Sequence, residues 1–172
     1  GFTVKHQAGK NNAGSVEQAY RESGVNNVEV SEFIDDVAQQ IASADLVICR
    51  AGALTIAELA AIGAASILVP FPFAIDDHQT ANARWLSDKD AAILLPETQL
   101  TAQFLVQQLQ PLFFGDAPLN KMRVNKTKLN EMANLALSQS DAPKRDSLIG
   151  EQKNKQTATQ KVSGYCLEYL NV

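Results

Sequence analysis

Three short apolar runs, L-V-I-C at 46–49, S-I-L-V at 66–69 and A-A-I-L-L at 91–95, constrain this chain most, because a helical pattern fills each gap between them. A run of four or five residues that is apolar on both faces suits a strand buried on both sides. Parallel neighbours need long crossovers, and the intervening helical stretches supply them. The alternation starts earlier, with strand patterns at 2–6 and 28–30, and predicts an α/β fold with a Rossmann-like doubly wound parallel sheet.

The predicted helices have recognisable ends. One runs from about Ser15 to Ser23, with Ser15 and Gln18 as a capping box and Gly24 as its stop. Asp35 or Asp36 opens the next, which reaches Ile41; another spans 55–62 and stops at Gly63. Helices are also predicted over 76–87 and over 102–110, the latter ended by Pro111. A polar amphipathic helix over 121–137 completes a domain of residues 1–137. Residues 138–161 are rich in Ser, Asp, Lys, Gln and Thr, which predicts a disordered segment. Tyr165, Leu167, Tyr169 and Leu170 restore apolar character and predict a short terminal helix over 162–172. The chain opens inside a strand pattern without a Met, which reads as a fragment of a longer protein.

Composition narrows the function. A net charge of -4 and a pI near 5.1 argue against nucleic acid as a main partner. The two cysteines, Cys49 and Cys166, lack C-x-x-C spacing, so neither a metal site nor a disulfide framework is expected; Cys49 reads as a small core residue. A reducing cytoplasm is the default compartment. No apolar run approaches the roughly 20 residues that a bilayer span needs, and no signal pattern opens the sequence.

Ligands of open parallel sheets bind at the carboxyl ends of the strands. That rule selects the loops at 6–14, 31–36, 50–55 and 70–79. In R-A-G-A-L-T-I-A-E, Gly52 and Ala53 allow close approach to the backbone, and the free amides of Ala53, Leu54 and Thr55 form an anion site at a helix start. Glu58 lies about one turn further, suited to accept two hydrogen bonds from a ribose diol. The spacing equally allows Thr55 to be the helix cap and Glu58 its capping-box partner. Arg50 reads as a surface charge at a strand end. In P-F-P-F-A-I-D-D-H-Q, Asp76 or Asp77 caps a helix whose first turns carry His78, Gln79 and Asn82 toward a sugar. The D-D-H run has no second His cluster to complete a metal site, and no nucleophile elbow is present.

Four motifs, H-Q-A-G-K, E-F-I-D-D-V, A-D-L-V-I-C-R-A-G-A-L-T-I-A-E-L and V-P-F-P-F-A-I-D-D-H-Q-T-A-N-A, resemble in order and spacing the MurG family over residues 2–112. These bacterial glycosyltransferases add N-acetylglucosamine to the lipid-linked muramyl pentapeptide of peptidoglycan. The resemblance implies the C-terminal, donor-binding domain of a GT-B enzyme. It implies that the Ile34 main chain reads the uracil edge. It places Ala53, Leu54, Thr55, Ile56, Ala57 and Glu58 against the nucleotide, with the diphosphate at 53–55 and the ribose on Glu58. It implies that Gln79 holds the N-acetylglucosamine, with His78 and Asn82 close by, and that Arg50 supports the loop without touching the ligand. It further implies an inverting transfer without metal or cofactor, and a bacterial cytoplasmic enzyme, peripheral on the inner membrane. The acceptor site, the proposed general base and the membrane contact belong to an N-terminal domain absent from these residues, so no catalytic residue is assigned here. The family's G-G-S-x-G-A loop is also absent, and His6 and His78 do not take the base's role. The competing expectation is a free-standing nucleotide-sugar binding module or a UDP-sugar epimerase of the same fold.

Overall fold

The computed structural model describes residues 2–73, 77–114 and 127–140, and the backbone of 161–165. Its elements, in order, are β1 (Thr3–Gln7), α1 (Ala13–Glu22), β2 (Val28–Ser31), α2 (Val37–Ser43), β3 (Leu46–Cys49), α3 (Ala53–Ile62), β4 (Ser66–Leu68), α4 (His78–Ser87), β5 (Ile93–Leu94), α5 (Ala102–Phe114), α6 (Thr127–Ser138) and β6 (Lys161–Tyr165). The strands form one sheet in the order β2-β1-β6-β3-β4-β5, and each recorded pairing is parallel.

Period-two alternation sorts the core onto the two faces. Val47 and Cys49 of β3 and Leu68 of β4 pack with Ile41, Ile56, Leu59, Ala83 and Leu86, from α2, α3 and α4. Leu46 of β3, and Ile67 and Val69 at β4, pack with Leu112 and Phe113 of α5 and Leu129 and Met132 of α6. Successive residues of one strand thus face different helix layers, as a doubly wound sheet requires.

Helix ends follow local chemistry. Asp36 caps α2 by accepting from the Gln39 amide at 3.0 Å. Gly63 ends α3 in the left-handed region (φ 69°), and a Cβ there would lie 2.9 Å from Leu137 Cβ and 3.0 Å from the Ala133 carbonyl oxygen. Only glycine lets α3 and α6 approach so closely.

Three expectations need correction. Ser15 does not cap α1: Asn12 is the cap position, Ser15 donates to the Asn12 carbonyl, and Gln18 pairs with Glu22 instead. Pro111 does not end α5, which continues to Phe114. The proline removes the amide that would reach the carbonyl of Gln107, and burial of Leu112 and Phe113 offsets that loss. Residues 161–165, expected to fall in the last polar residue and the start of a terminal helix, form β6. There they pair on one side with β1 and on the other with β3, completing a backbone ladder that a helix would leave open. Residues 121–126 of the predicted amphipathic helix, 141–160 of the polar segment and 166–172 lie outside the described residues.

Candidate nucleotide-sugar site

All four selected loops follow the carboxyl ends of parallel strands, and cross-bonds stitch them into two groups. In the first group, Ala8 N–H donates to the Ser31 carbonyl (2.8 Å) and Gly9 N–H to the Glu32 carbonyl (3.1 Å). Asn11 N–H donates to Glu32 Oε1 at 2.7 Å. Gly9 adopts φ 78°, which turns the chain toward this seam at no steric cost. Ile34 N–H, the amide expected to read a base, donates to Gln7 Oε1 at 2.9 Å. Sequence reasoning missed this use of Gln7, since its partner is 27 residues away.

The second group is built around β3. Arg50 Nη1 donates to Glu97 Oε2 at 2.6 Å, to the Pro70 carbonyl at 3.3 Å and to the Val69 carbonyl at 3.5 Å. Its guanidinium also lies 5.4 Å from the Phe71 ring centroid. One cation therefore joins the loops that follow β3, β4 and β5. The loop-support expectation for Arg50 thus matches its contacts, whereas a free surface charge does not. Asn82 Nδ2 donates to the Ala51 carbonyl at 3.1 Å, tying α4 to the start of α3. Gln79 Oε1 accepts from Phe71 N–H at 2.9 Å, which leaves its carboxamide NH2 as the donor face.

The helix start resolves the ambiguity over Thr55. The cap position of α3 is Gly52, with extended backbone (φ -64°, ψ 146°) and no side-chain cap bond. Thr55 is therefore the third helical residue, and Glu58 is a full turn beyond any capping-box position. The Gly52 carbonyl accepts from Ile56 N–H at 3.0 Å, so the amides of Ala53, Leu54 and Thr55 precede the first intrahelical bond. Leu54 is 74% exposed, so this end of the helix meets solvent. Ile56 is buried and packs the helix onto the sheet, and Ala57 is exposed beside Glu58.

Cys49 lies under this site and is fully enclosed. Burial, and then the Glu58 carboxylate nearby, push its thiol up to about 12, so it is inert at neutral pH. Burial lowers the His6 pKa, and its Nδ1 lies 3.0 Å from the Tyr20 hydroxyl. That placement makes His6 part of the β1–α1 packing. His78 is exposed at the first turn of α4. Asp77, the cap position of α4, adopts φ 54° without a side-chain cap bond, an unusual conformation for a non-glycine residue. Asp76, the other candidate cap, lies outside the described residues. Among the described residues no three His, Cys, Asp or Glu side chains are grouped to hold a metal.

The model of the glycosyltransferase family 28 C-terminal domain matches residues 1–138. The chain belongs to this family. The family 28 domain is 57% identical over 109 residues to the UDP-N-acetylglucosamine--N-acetylmuramyl-(pentapeptide) pyrophosphoryl-undecaprenol N-acetylglucosamine transferase of Aromatoleum aromaticum, a match covering 63% of this chain and 30% of that protein. It is 51% identical over 126 residues to the transferase of the same name from Stutzerimonas stutzeri, covering 73% of this chain and 35% of the other. The crystal structure of Acinetobacter baumannii MurG superposes with a TM-score of 0.70 at 34% identity, over 87% of this chain and 42% of that one. The chain thus spans about a third of the length of these curated relatives. The structural match supports the GT-B, Rossmann-like class read from the sequence.

Proposed function

We propose that this domain binds UDP-N-acetylglucosamine as the donor half of an inverting glycosyltransferase. The acceptor is undecaprenyl-diphospho-N-acetylmuramoyl-pentapeptide, and the C4 hydroxyl of its muramoyl sugar attacks the anomeric carbon as UDP leaves. The observation that carries this reading is the start of α3. A glycine-capped helix with three amides ahead of its first internal bond has a carboxylate one turn in, within a family 28 domain.

In this reading the amides of Ala53, Leu54 and Thr55 meet the diphosphate, whose negative charge grows as the glycosidic bond breaks. A preorganised helix N-terminus stabilises that charge without reorganising. Glu58 accepts from the two ribose hydroxyls. The backbone of Ile34 reads uracil, and the Gln79 NH2 donates to the N-acetylglucosamine beside His78. Asn82 acts by holding the Ala51 carbonyl, and hence the helix start, in place. Phe33, Leu54 and Phe73 are 61%, 74% and 82% exposed on these loops, which suits a cleft that a second domain closes. That second domain would bring the lipid-linked acceptor and the contact with the cytoplasmic face of the membrane. Among the described residues no helix is long and apolar enough to cross a bilayer.

Glu58→Ala is expected to weaken UDP binding about 10- to 100-fold, since hydrogen bonds to a charged group contribute about 1.5–3 kcal/mol. Isothermal calorimetry with UDP and with pyrophosphate reads this directly. Loss for UDP with little change for pyrophosphate assigns Glu58 to the ribose. Unchanged UDP affinity removes that role.

A further inference from the structure

The Gln7 side chain occupies the amide that the proposed site uses to recognise a base. Its Oε1 accepts from Ile34 N–H at 2.9 Å, in a partly buried setting. A glutamine carboxamide presents a carbonyl acceptor beside an N–H donor, the same pair that the imide edge of uracil presents. Gln7 and a bound uracil would therefore compete for one donor. The contact is not needed to hold the loop. Ala8, Gly9 and Asn11 already donate to the backbone or side chain of Ser31 and Glu32, just before Ile34. Asp36, just after it, is fixed as the cap of α2.

We propose that Gln7 is an internal stand-in for the pyrimidine, holding the Ile34 N–H that uracil would take and releasing it when uracil arrives. This inference rests on the nucleotide reading above. A half-buried amide left without a partner costs free energy, so a stand-in satisfies that donor until the base replaces it. The same bond must be broken on binding, so it also lowers the apparent affinity. Gln7 thereby sets how strongly a ligand must match the uracil edge before it displaces the side chain.

The stand-in and a simple brace predict opposite signs. As a stand-in, Gln7→Ala raises UDP affinity about three- to tenfold, because one hydrogen bond no longer opposes binding. Gln7→Glu lowers it, because a carboxylate accepts from the same amide more strongly and offers no donor. As a brace, Gln7→Ala would lower affinity and Gln7→Glu would largely preserve it. Calorimetric titration of the full chain and both variants with UDP separates the two, with the amide resonance of Ile34 followed by NMR as a second readout. A stand-in gives an Ile34 shift on Gln7→Ala in the absence of ligand, and a further shift with UDP. Lower or unchanged affinity in Gln7→Ala overturns the proposal. If wild type and variants all fail to bind UDP, the nucleotide reading itself is overturned, and this inference with it.

Discussion

Phe113→Ala lowers the unfolding free energy by about 3–5 kcal/mol, the usual cost of removing a fully buried aromatic side chain. Phe113 is 0% exposed and packs edge-on against Phe2, with ring centroids 4.8 Å apart. It also lies in the cluster formed by Leu46, Ile67, Val69 and Leu95 under α5 and α6. The truncation removes apolar surface and opens a void that strands buried on both faces cannot close. Domains of this size have total stabilities of about 5–15 kcal/mol, so the loss is a large fraction of the whole. Urea denaturation should show a lower midpoint with an unchanged slope. Val106→Ala on the same helix is the control, since Val106 is 59% exposed and should change stability by less than about 0.5 kcal/mol. Equal effects of the two substitutions would show that α5 is not anchored through Phe113.

Arg50→Met is expected to cost about 2–3 kcal/mol. Removing one partner of a buried ion pair typically costs about 3–5 kcal/mol. The Arg50 and Glu97 side chains keep 18% and 27% of their exposure, which moves the figure below that range. The carbonyls of Val69 and Pro70 lose their side-chain donor as well. A double-mutant cycle with Glu97→Gln tests the pairing. If the two groups act through each other, the double variant is less destabilised than the sum of the singles by about 1 kcal/mol or more. Additive losses would mean that Arg50 acts through the carbonyls alone.

Strands whose two faces are both covered announce themselves, because nearly every position is apolar; hence Leu46–Cys49 is legible to the residue. The start of α3 was legible as a place but not in detail. Glycine and threonine both serve at helix starts, and only the observed backbone of Gly52 shows which one does. Pro111 misled because local propensity favours a stop there, whereas the cost is offset by tertiary burial of the next two residues. The strand at 161–165 was illegible because its partners, β1 and β3, are distant in sequence. The site showed the same division. Motif residues such as Thr55 and Glu58 stood out, while Gln7 and Arg50 owe their importance to bonds spanning 27 and 47 residues.

The stitching of the loops also bears on how this domain can change over generations. Surface loops ordinarily absorb insertions and deletions freely. The turn at Asn26 and Asn27 is exposed and lies between elements without carrying any of the side-chain cross-bonds described above. Length can vary there without disturbing the site. One residue added between Arg50 and Gly52 would instead disturb the bonds to Val69, Pro70, Glu97 and Asn82 together. In a lineage of such domains, loop length at the nucleotide end should therefore stay fixed even as individual side chains drift, and variation in length should collect in the connections at the amino ends of the strands.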